Sequence, residues 1–114
     1  MSDCFFCKMV KGEITPEVVY ETDEVLAFRD ISPQAPSHIL IIPKQHIATI
    51  NDVRPEQATL IGQMTLAAQH IAEQEGMAEQ GYRCIMNCNA DGGQTVFHLH
   101  MHLLGGRAMS WPPG

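Results

Sequence analysis

The chain has 114 residues, 45% of them apolar and 18% charged, with a net charge of −6. That length holds one domain with a real core and leaves no room for two. The acidic balance, with a pI near 5.3, argues against bulk nucleic-acid binding, which rests on basic patches.

No stretch reaches the roughly 20 apolar residues of a membrane span. Met1-Ser2-Asp3-Cys4 lacks the basic start and long apolar run of a signal peptide. A soluble, cytoplasmic protein without a membrane partner is therefore expected. Its four cysteines are then reduced thiols or metal ligands, not disulfides.

Residues 4–11 are compact and apolar and suit a short helical segment before Gly12. Val18-Val19-Tyr20 and Val25-Leu26-Ala27-Phe28 read as strands, with Thr22-Asp23-Glu24 as the turn of a hairpin. Pro33, Pro36 and Ser37 mark an ordered loop. Ile39-Leu40-Ile41-Ile42, a largely β-branched run ended by Pro43, suits a central strand buried on both faces. Pro55 fits the first turn of a helix. Leu60, Met64, Ala67 and Ile71, with Ile61, Ala68 and Ala72 beside them, form one apolar helix face, and Gly76 is a natural stop. Tyr82 to Asn87 reads as a strand with Cys84 in the core and Cys88 in a turn. Asp91-Gly92-Gly93 is a turn or a close backbone approach. Val96 to Leu104 is the last strand, and Gly105-Gly106 releases a tail ending Trp111-Pro112-Pro113-Gly114. The sum is an α+β domain, a mostly antiparallel sheet with one main helix.

The last strand carries His98, His100 and His102. Side chains alternate along a strand, so the three imidazoles share a face with neighbours roughly 6.5–7 Å apart. Leu99, Met101 and Leu103 then line the opposite, core face. A lone strand histidine is usually structural; three at period two opposite an unbroken apolar face point to chemistry. Two chemistries suit the pattern. The imidazoles can ligate zinc, as in three-histidine catalytic sites. Alternatively, one neutral imidazole attacks phosphorus while the others hold phosphate oxygens and leaving group, since crowding disfavours charging all three.

His98-Leu99-His100-Met101-His102-Leu103-Leu104 resembles the His-φ-His-φ-His-φ-φ signature of the histidine-triad (HIT) proteins. Asp91-Gly92-Gly93-Gln94-Thr95-Val96-Phe97, Asp30-Ile31-Ser32-Pro33-Gln34-Ala35-Pro36-Ser37-His38 and the Trp111-Pro112-Pro113-Gly114 ending resemble that family too. The likeness covers nearly the whole chain and is closest to the histidine-triad nucleotide-binding (HINT) branch, the purine nucleoside phosphoramidases. The nucleotidylyltransferase branch has Pro between its histidines, where Leu99 stands here.

The resemblance implies a single HIT domain over residues 1–114. Its fold is a mostly antiparallel five-stranded sheet with one long helix and a short N-terminal helix, the sheet continuing across a homodimer. His100 is expected as the nucleophile, His102 as a phosphate ligand, and His98 as an orienting group for the site and the leaving amine. His38 is expected to support His100 from behind, and Thr95, often Ser in the family, to bond phosphate or the leaving group. Asp30 would bind the ribose hydroxyls, although it also suits a turn or cap. Phe6, Met9, Phe28 and Ile31 would wall the base pocket. Asn87 and the backbone near Gly93 would touch the phosphate end, and Trp111 would reach the partner subunit's site. His70, on the helix, reads as a surface residue.

Cys4-Phe5-Phe6-Cys7 is a Cys-x₂-Cys pair and needs two further ligands for a closed zinc site. The resemblance to bacterial-type members supplies His46, in Pro43-Lys44-Gln45-His46, and His98, giving a structural zinc held by Cys4, Cys7, His46 and His98, with no organic cofactor. His98 is then drawn both to metal and to catalysis. The expected activity is hydrolysis of purine nucleoside phosphoramidates, releasing AMP or GMP through a nucleotidyl-histidine. The alternatives are a dinucleoside polyphosphate hydrolase, a nucleotide-binding or scaffold protein with little turnover, and a three-histidine metal hydrolase.

Overall fold

The computed structural model describes residues 4–114. Met1, Ser2 and Asp3, on which part of the signal-peptide reading falls, lie outside the described residues. The elements, in chain order, are α1 (Phe5–Val10), β1 (Val18–Glu21), β2 (Val25–Arg29), β3 (Ser37–Pro43), α2 (Ala58–Gln74), β4 (Tyr82–Ile85), α3 (Asn89–Gly92) and β5 (Met101–Gly105). The five strands form one sheet in the order β1-β2-β3-β5-β4, with every pairing antiparallel. Among the described residues no helix is long and apolar enough to cross a membrane.

β3 is the middle strand and is buried along nearly its whole length, as its β-branched run predicts. Its side chains divide between two apolar layers. Ile39 and Ile41 join Met64, Ala67, Ala68, Ile71 and Ala72 of α2, together with Leu99, Met101 and Leu103. Leu40 and Ile42 join Phe6 of α1 and Leu26 and Phe28 of β2. The alternation of a strand thus places α2 on one face of the sheet and α1 on the other. The β1–β2 hairpin closes on Thr22, whose Oγ1 accepts from the backbone N–H groups of Glu24 and Val25. Pro55–Gln57 forms a 3-10 turn leading into α2. The helix ends ahead of Gly76, which supplies the positive φ of +74° that a side chain disfavours.

Three expectations are corrected. The strand expected over Val96–Leu104 is laddered only over Met101–Gly105. Upstream, its would-be partner is Pro43, which has no N–H to donate and whose carbonyl is bonded by the His98 ring at 2.8 Å; only Leu99 N–H keeps a backbone bond, to Ile47 O. The strand expected over Tyr82–Asn87 stops at Ile85, because Cys88 already caps the short helix α3. Cys84, expected in the core, is exposed, because β4 is the outermost strand beside β5.

Leu103 is fully buried and sits where β5 is paired on both sides, with Ile39 and Cys84. Leu103→Ala is expected to lower unfolding free energy by about 3 kcal/mol through lost burial and the cavity left behind. Urea unfolding checks this, and a loss below about 1 kcal/mol would contradict the assigned core.

Candidate active site

The three histidines of the run lie on the α1 side of the sheet, opposite Leu99, Met101 and Leu103, even though only His102 belongs to the laddered strand. The His98 and His100 rings meet the edge of Phe6, at centroid distances of 5.8 and 5.4 Å. His100 and His102 are 5.0 Å apart, centroid to centroid. Each ring has a different partner, and the partner determines which nitrogen carries the proton.

His100 Nδ1 lies 2.8 Å from the carbonyl oxygen of His98. A carbonyl only accepts, so Nδ1 carries the hydrogen and, in the neutral ring, Nε2 keeps its lone pair. For His38 the argument runs the other way. The backbone N–H of Gln34 donates to His38 Nδ1 at 3.0 Å, so Nδ1 is bare and the proton sits on Nε2. That Nε2–H faces His102 Nδ1 at 2.9 Å and Asp30 Oδ2 at 3.4 Å. His102 Nδ1 is thereby an acceptor, and the neutral His102 ring carries its hydrogen on Nε2. The neighbouring rings His100 and His102 therefore hold opposite tautomers, one with a free lone pair and one with a free N–H.

Burial favours the neutral form of His38 and His102. It pushes the His38 imidazole below its ordinary range, against the pull of Asp30. His102 is lowered to about 4, by burial first and then by the neighbouring His100 and His38. His38, expected behind His100, is thus brought against His102 instead. Asp30 acts as a turn residue, its Oδ1 accepting from Ser32 N–H at 2.7 Å, and its carboxylate retains lone pairs for a further donor.

Phe6, Met9, Phe28 and Ile31 line one cleft of about 380 Å³ together with Asp30, Leu40 and Val96. Ile31 is 96% exposed, so it forms the outer lip, while Phe6 and Phe28 meet edge to face at 5.5 Å deeper in. A flat apolar ring fits between such walls. Asn87 is half-buried behind the turn of α3: a Cβ on Gly92 would meet its backbone at 3.6 Å. Gly93 adopts a φ of +84°, and Thr95 lies exposed just beyond. Trp111 is 81% exposed. His70 is on the surface, its ring over Tyr20 at 4.7 Å.

Sequence reasoning missed Gln94. Its buried amide accepts from Asn89 N–H and donates to the carbonyls of Ala48 and Val96, all within 3.0 Å, and so fixes the loop that presents Thr95. A glutamine after two glycines carries no separable signal for that role. The Gln34 N–H is a main-chain group and invisible to side-chain patterns.

His98 is fully buried. Its Nε2–H donates to Pro43 O at 2.8 Å, which leaves the Nδ1 lone pair 3.3 Å from Cys4 Sγ, 3.6 Å from Cys7 Sγ and 3.2 Å from His46 Nδ1. Cys7 Sγ and His46 Nδ1 are 3.3 Å apart. Two sulfurs and two imidazole nitrogens converge, and a tetrahedral zinc with ordinary bond lengths has N···N edges of about 3.3 Å and N···S edges of about 3.5 Å. The donor set fits that ion in type, number and spacing, so Cys4, Cys7, His46 and His98 could hold a metal. Without a cation, burial and the neighbouring Cys4 push the Cys7 thiol upward. The three histidines of the run do not converge on a point of their own: His98 turns to the cysteines, His100 to a carbonyl and His102 to His38.

The fold and the site combine an α+β sheet, an apolar cleft and a histidine run on the same side of the sheet. The HIT domain model matches residues 11–109, and the chain belongs to the HIT family. It is 57% identical over 107 residues to the purine nucleoside phosphoramidase of Escherichia coli K12, covering 94% of this chain and 90% of that protein. It is 53% identical over 112 residues to an uncharacterized HIT-like protein of Synechococcus elongatus, covering 98% and 97% of the two. The crystal structure of a HIT family hydrolase from Legionella pneumophila superimposes with a TM-score of 0.96 at 55% identity, over 98% of this chain and all of that one.

The neutral state of His102 has a sign that can be checked. Its folded pKa lies below the ordinary value near 6.5, so the unfolded chain takes up the proton first. The stability it contributes is fully present above about pH 6.5 and is lost as pH falls towards about 4. An NMR titration of the His102 ring is expected to hold the neutral signature to about pH 5, with a midpoint near 4. A midpoint at the ordinary value of about 6.5 would refute the assignment.

Proposed function

We propose that the protein hydrolyses purine nucleoside phosphoramidates, cutting the P–N bond through a covalent nucleotidyl-imidazole on His100. One observation carries this reading: the His100 ring, its Nδ1–H on the His98 carbonyl, lies 5.0 Å from the His102 ring, whose neutral form carries Nε2–H, and 5.4 Å from Phe6, which lines an apolar cleft that also presents a carboxylate. The similarity to a purine nucleoside phosphoramidase supports the substrate class.

The base lies between Phe6, Met9, Phe28 and Ile31, with the ribose hydroxyls on Asp30. His100 Nε2 attacks phosphorus; a P–N bond to the imidazole forms as the P–N bond to the amine breaks. The amine leaves with a proton drawn from solvent, with the exposed Thr95 hydroxyl bonding the leaving group. The developing imidazolium is held by its Nδ1–H on the His98 carbonyl. His102 donates Nε2–H to a non-bridging phosphate oxygen as charge grows there. Asn87 and the backbone at Gly93 border the phosphate. Water then attacks phosphorus, His100 departs, and AMP or GMP is released. With Nε2–H on the Pro43 carbonyl and Nδ1 taken by a metal, His98 would not serve as the acid.

The metal would be a structural zinc on Cys4, Cys7, His46 and His98, a closed Cys₂His₂ shell with no open position for substrate. Bound there, it would pin α1 to the segment preceding β5. A homodimer is favoured by the outermost place of β4, by Leu66 standing 61% exposed on α2 and by the exposed Trp111. Trp111 would then reach the partner's site. Free cysteines among the described residues suit a reducing compartment such as the cytoplasm.

Purified protein supplied with an adenosine phosphoramidate is expected to turn over, and His100→Ala to lose about 10⁴-fold or more in kcat. Turnover within tenfold of wild type in that variant would reject the nucleophile. Elemental analysis is expected to find about one zinc per chain, as a closed four-ligand site requires. Cys4→Ser or Cys7→Ser should deplete it; unchanged content would reject these ligands.

A further inference from the structure

The loop between β2 and β3 lies largely on the surface, with Ile31, Ser32, Pro33 and Gln34 all exposed. Little burial holds it, yet its Gln34 N–H dictates the tautomer of His38. Beyond its local bonds from Ser32 N–H to Asp30 Oδ1 and from Gln34 Nε2 to Ser32 O, the loop is held by the segment that follows β5. Arg107 donates to the Gln34 carbonyl twice, from Nε at 3.3 Å and from Nη2 at 3.0 Å. Its Nη1 donates to Ala108 O at 3.1 Å, which fixes the plane of the guanidinium from its own chain. One residue earlier, Gly106 has a φ of +92°, and a Cβ there would come within 2.8 Å of Pro36 Cβ. The tail therefore grips the loop at Gln34 and packs against it at Pro36.

We propose that Arg107 is a positioning residue for the histidine site: by clamping the Gln34 carbonyl it keeps the adjacent Gln34 N–H on His38 Nδ1, and so keeps His102 in its Nε2–H tautomer. The kinetic consequence rests on the hydrolase reading above; the tautomer consequence does not. If the clamp is released, the exposed loop can rotate and withdraw its N–H. His38 is then free to take the proton on Nδ1, which turns its Nε2 into an acceptor. His102 must answer with Nδ1–H, and its Nε2 offers a lone pair, not a donor, where the phosphate oxygen gains charge. A two-bond contact on an exposed loop thereby sets the polarity of a nitrogen several residues away. The guanidinium suits the task because its donors share one rigid plane.

The experiment uses Arg107→Met, which keeps the apolar stem and removes every donor, with Arg107→Lys as the conservative partner. Long-range ¹H–¹⁵N spectra of the imidazoles, recorded on the full protein without substrate, distinguish protonated from bare ring nitrogens. Wild type is expected to show His38 and His102 both as Nε2–H. Arg107→Met is expected to show a second population with protonated Nδ1 on both rings. Its kcat on an adenosine phosphoramidate should fall about tenfold, less than the 10²–10³ of a wholly lost oxyanion donor, while KM shifts less than about threefold. Arg107→Lys, retaining one donor for Gln34 O, should recover most of the wild-type spectrum and rate. An unchanged spectrum in Arg107→Met, whatever its rate, overturns the proposal, as does a wild-type His38 protonated on Nδ1. Because the spectra need no substrate, they decide the proposal even where turnover itself is lacking, an outcome that would count against the hydrolase reading alone.

Discussion

The Nε2–H of His98 donates to the carbonyl of Pro43 at 2.8 Å, in a ring with no solvent exposure. That bond anchors three things. It places His98 Nδ1 among Cys4, Cys7 and His46. It holds the His98 main chain, whose carbonyl takes the His100 Nδ1–H. It also occupies the carbonyl of the one residue in β3 that cannot donate, so the ladder between β3 and β5 ends at Ile41 and Met101. The chain upstream of Met101 is released from the sheet and free to carry two histidines towards α1.

Three rings of one chemical type then diverge because each meets a different backbone or ring partner. Carbonyl oxygens accept the Nε2–H of His98 and the Nδ1–H of His100, and an amide N–H reaches His38 and, through it, defines His102. Burial, the largest cause lowering His38, His98 and His102, favours the neutral form of those three rings, and only a neutral imidazole can hold one donor and one acceptor. An unpaired buried polar atom costs roughly 1–3 kcal/mol. Among the described residues no buried side-chain nitrogen or oxygen lacks a partner, so any change of tautomer must break a bond somewhere in the set. The arrangement is self-locking for that reason.

Much of this was legible in the residues themselves. The apolar face of α2, the both-faces burial of β3 and the hairpin closed at Thr22 follow from periodicity, and they survive in the structure because tertiary packing agrees with local preference. Alternation placed His98, His100 and His102 on one side, and the resemblance grouped Phe6, Met9, Phe28, Ile31 and Asp30, which share one cleft. What was not legible depends on main-chain partners. Period two makes the three histidines equivalent; only the Pro43 carbonyl, the His98 carbonyl and the Gln34 amide make them different. The same blindness misjudged Cys84: its position in an apolar run suggests core, but burial on an outermost strand depends on what lies beyond the edge.

The smallest element shows why the two halves of the site cannot be separated. A six-residue helix has no stability of its own in water, so α1 exists because its side chains are held elsewhere. Phe6 is wedged against Phe28, His98 and His100, and Cys4 and Cys7 close on His98 and His46. Met9 of the same helix lines the cleft. Residues that would grip a metal and residues that would wall a base therefore alternate on one short segment, and both sets bear on the same histidine. His98 contributes nothing directly to the cleft, yet its ring faces one set and its carbonyl takes the Nδ1–H of His100, which lies against Phe6 of the other.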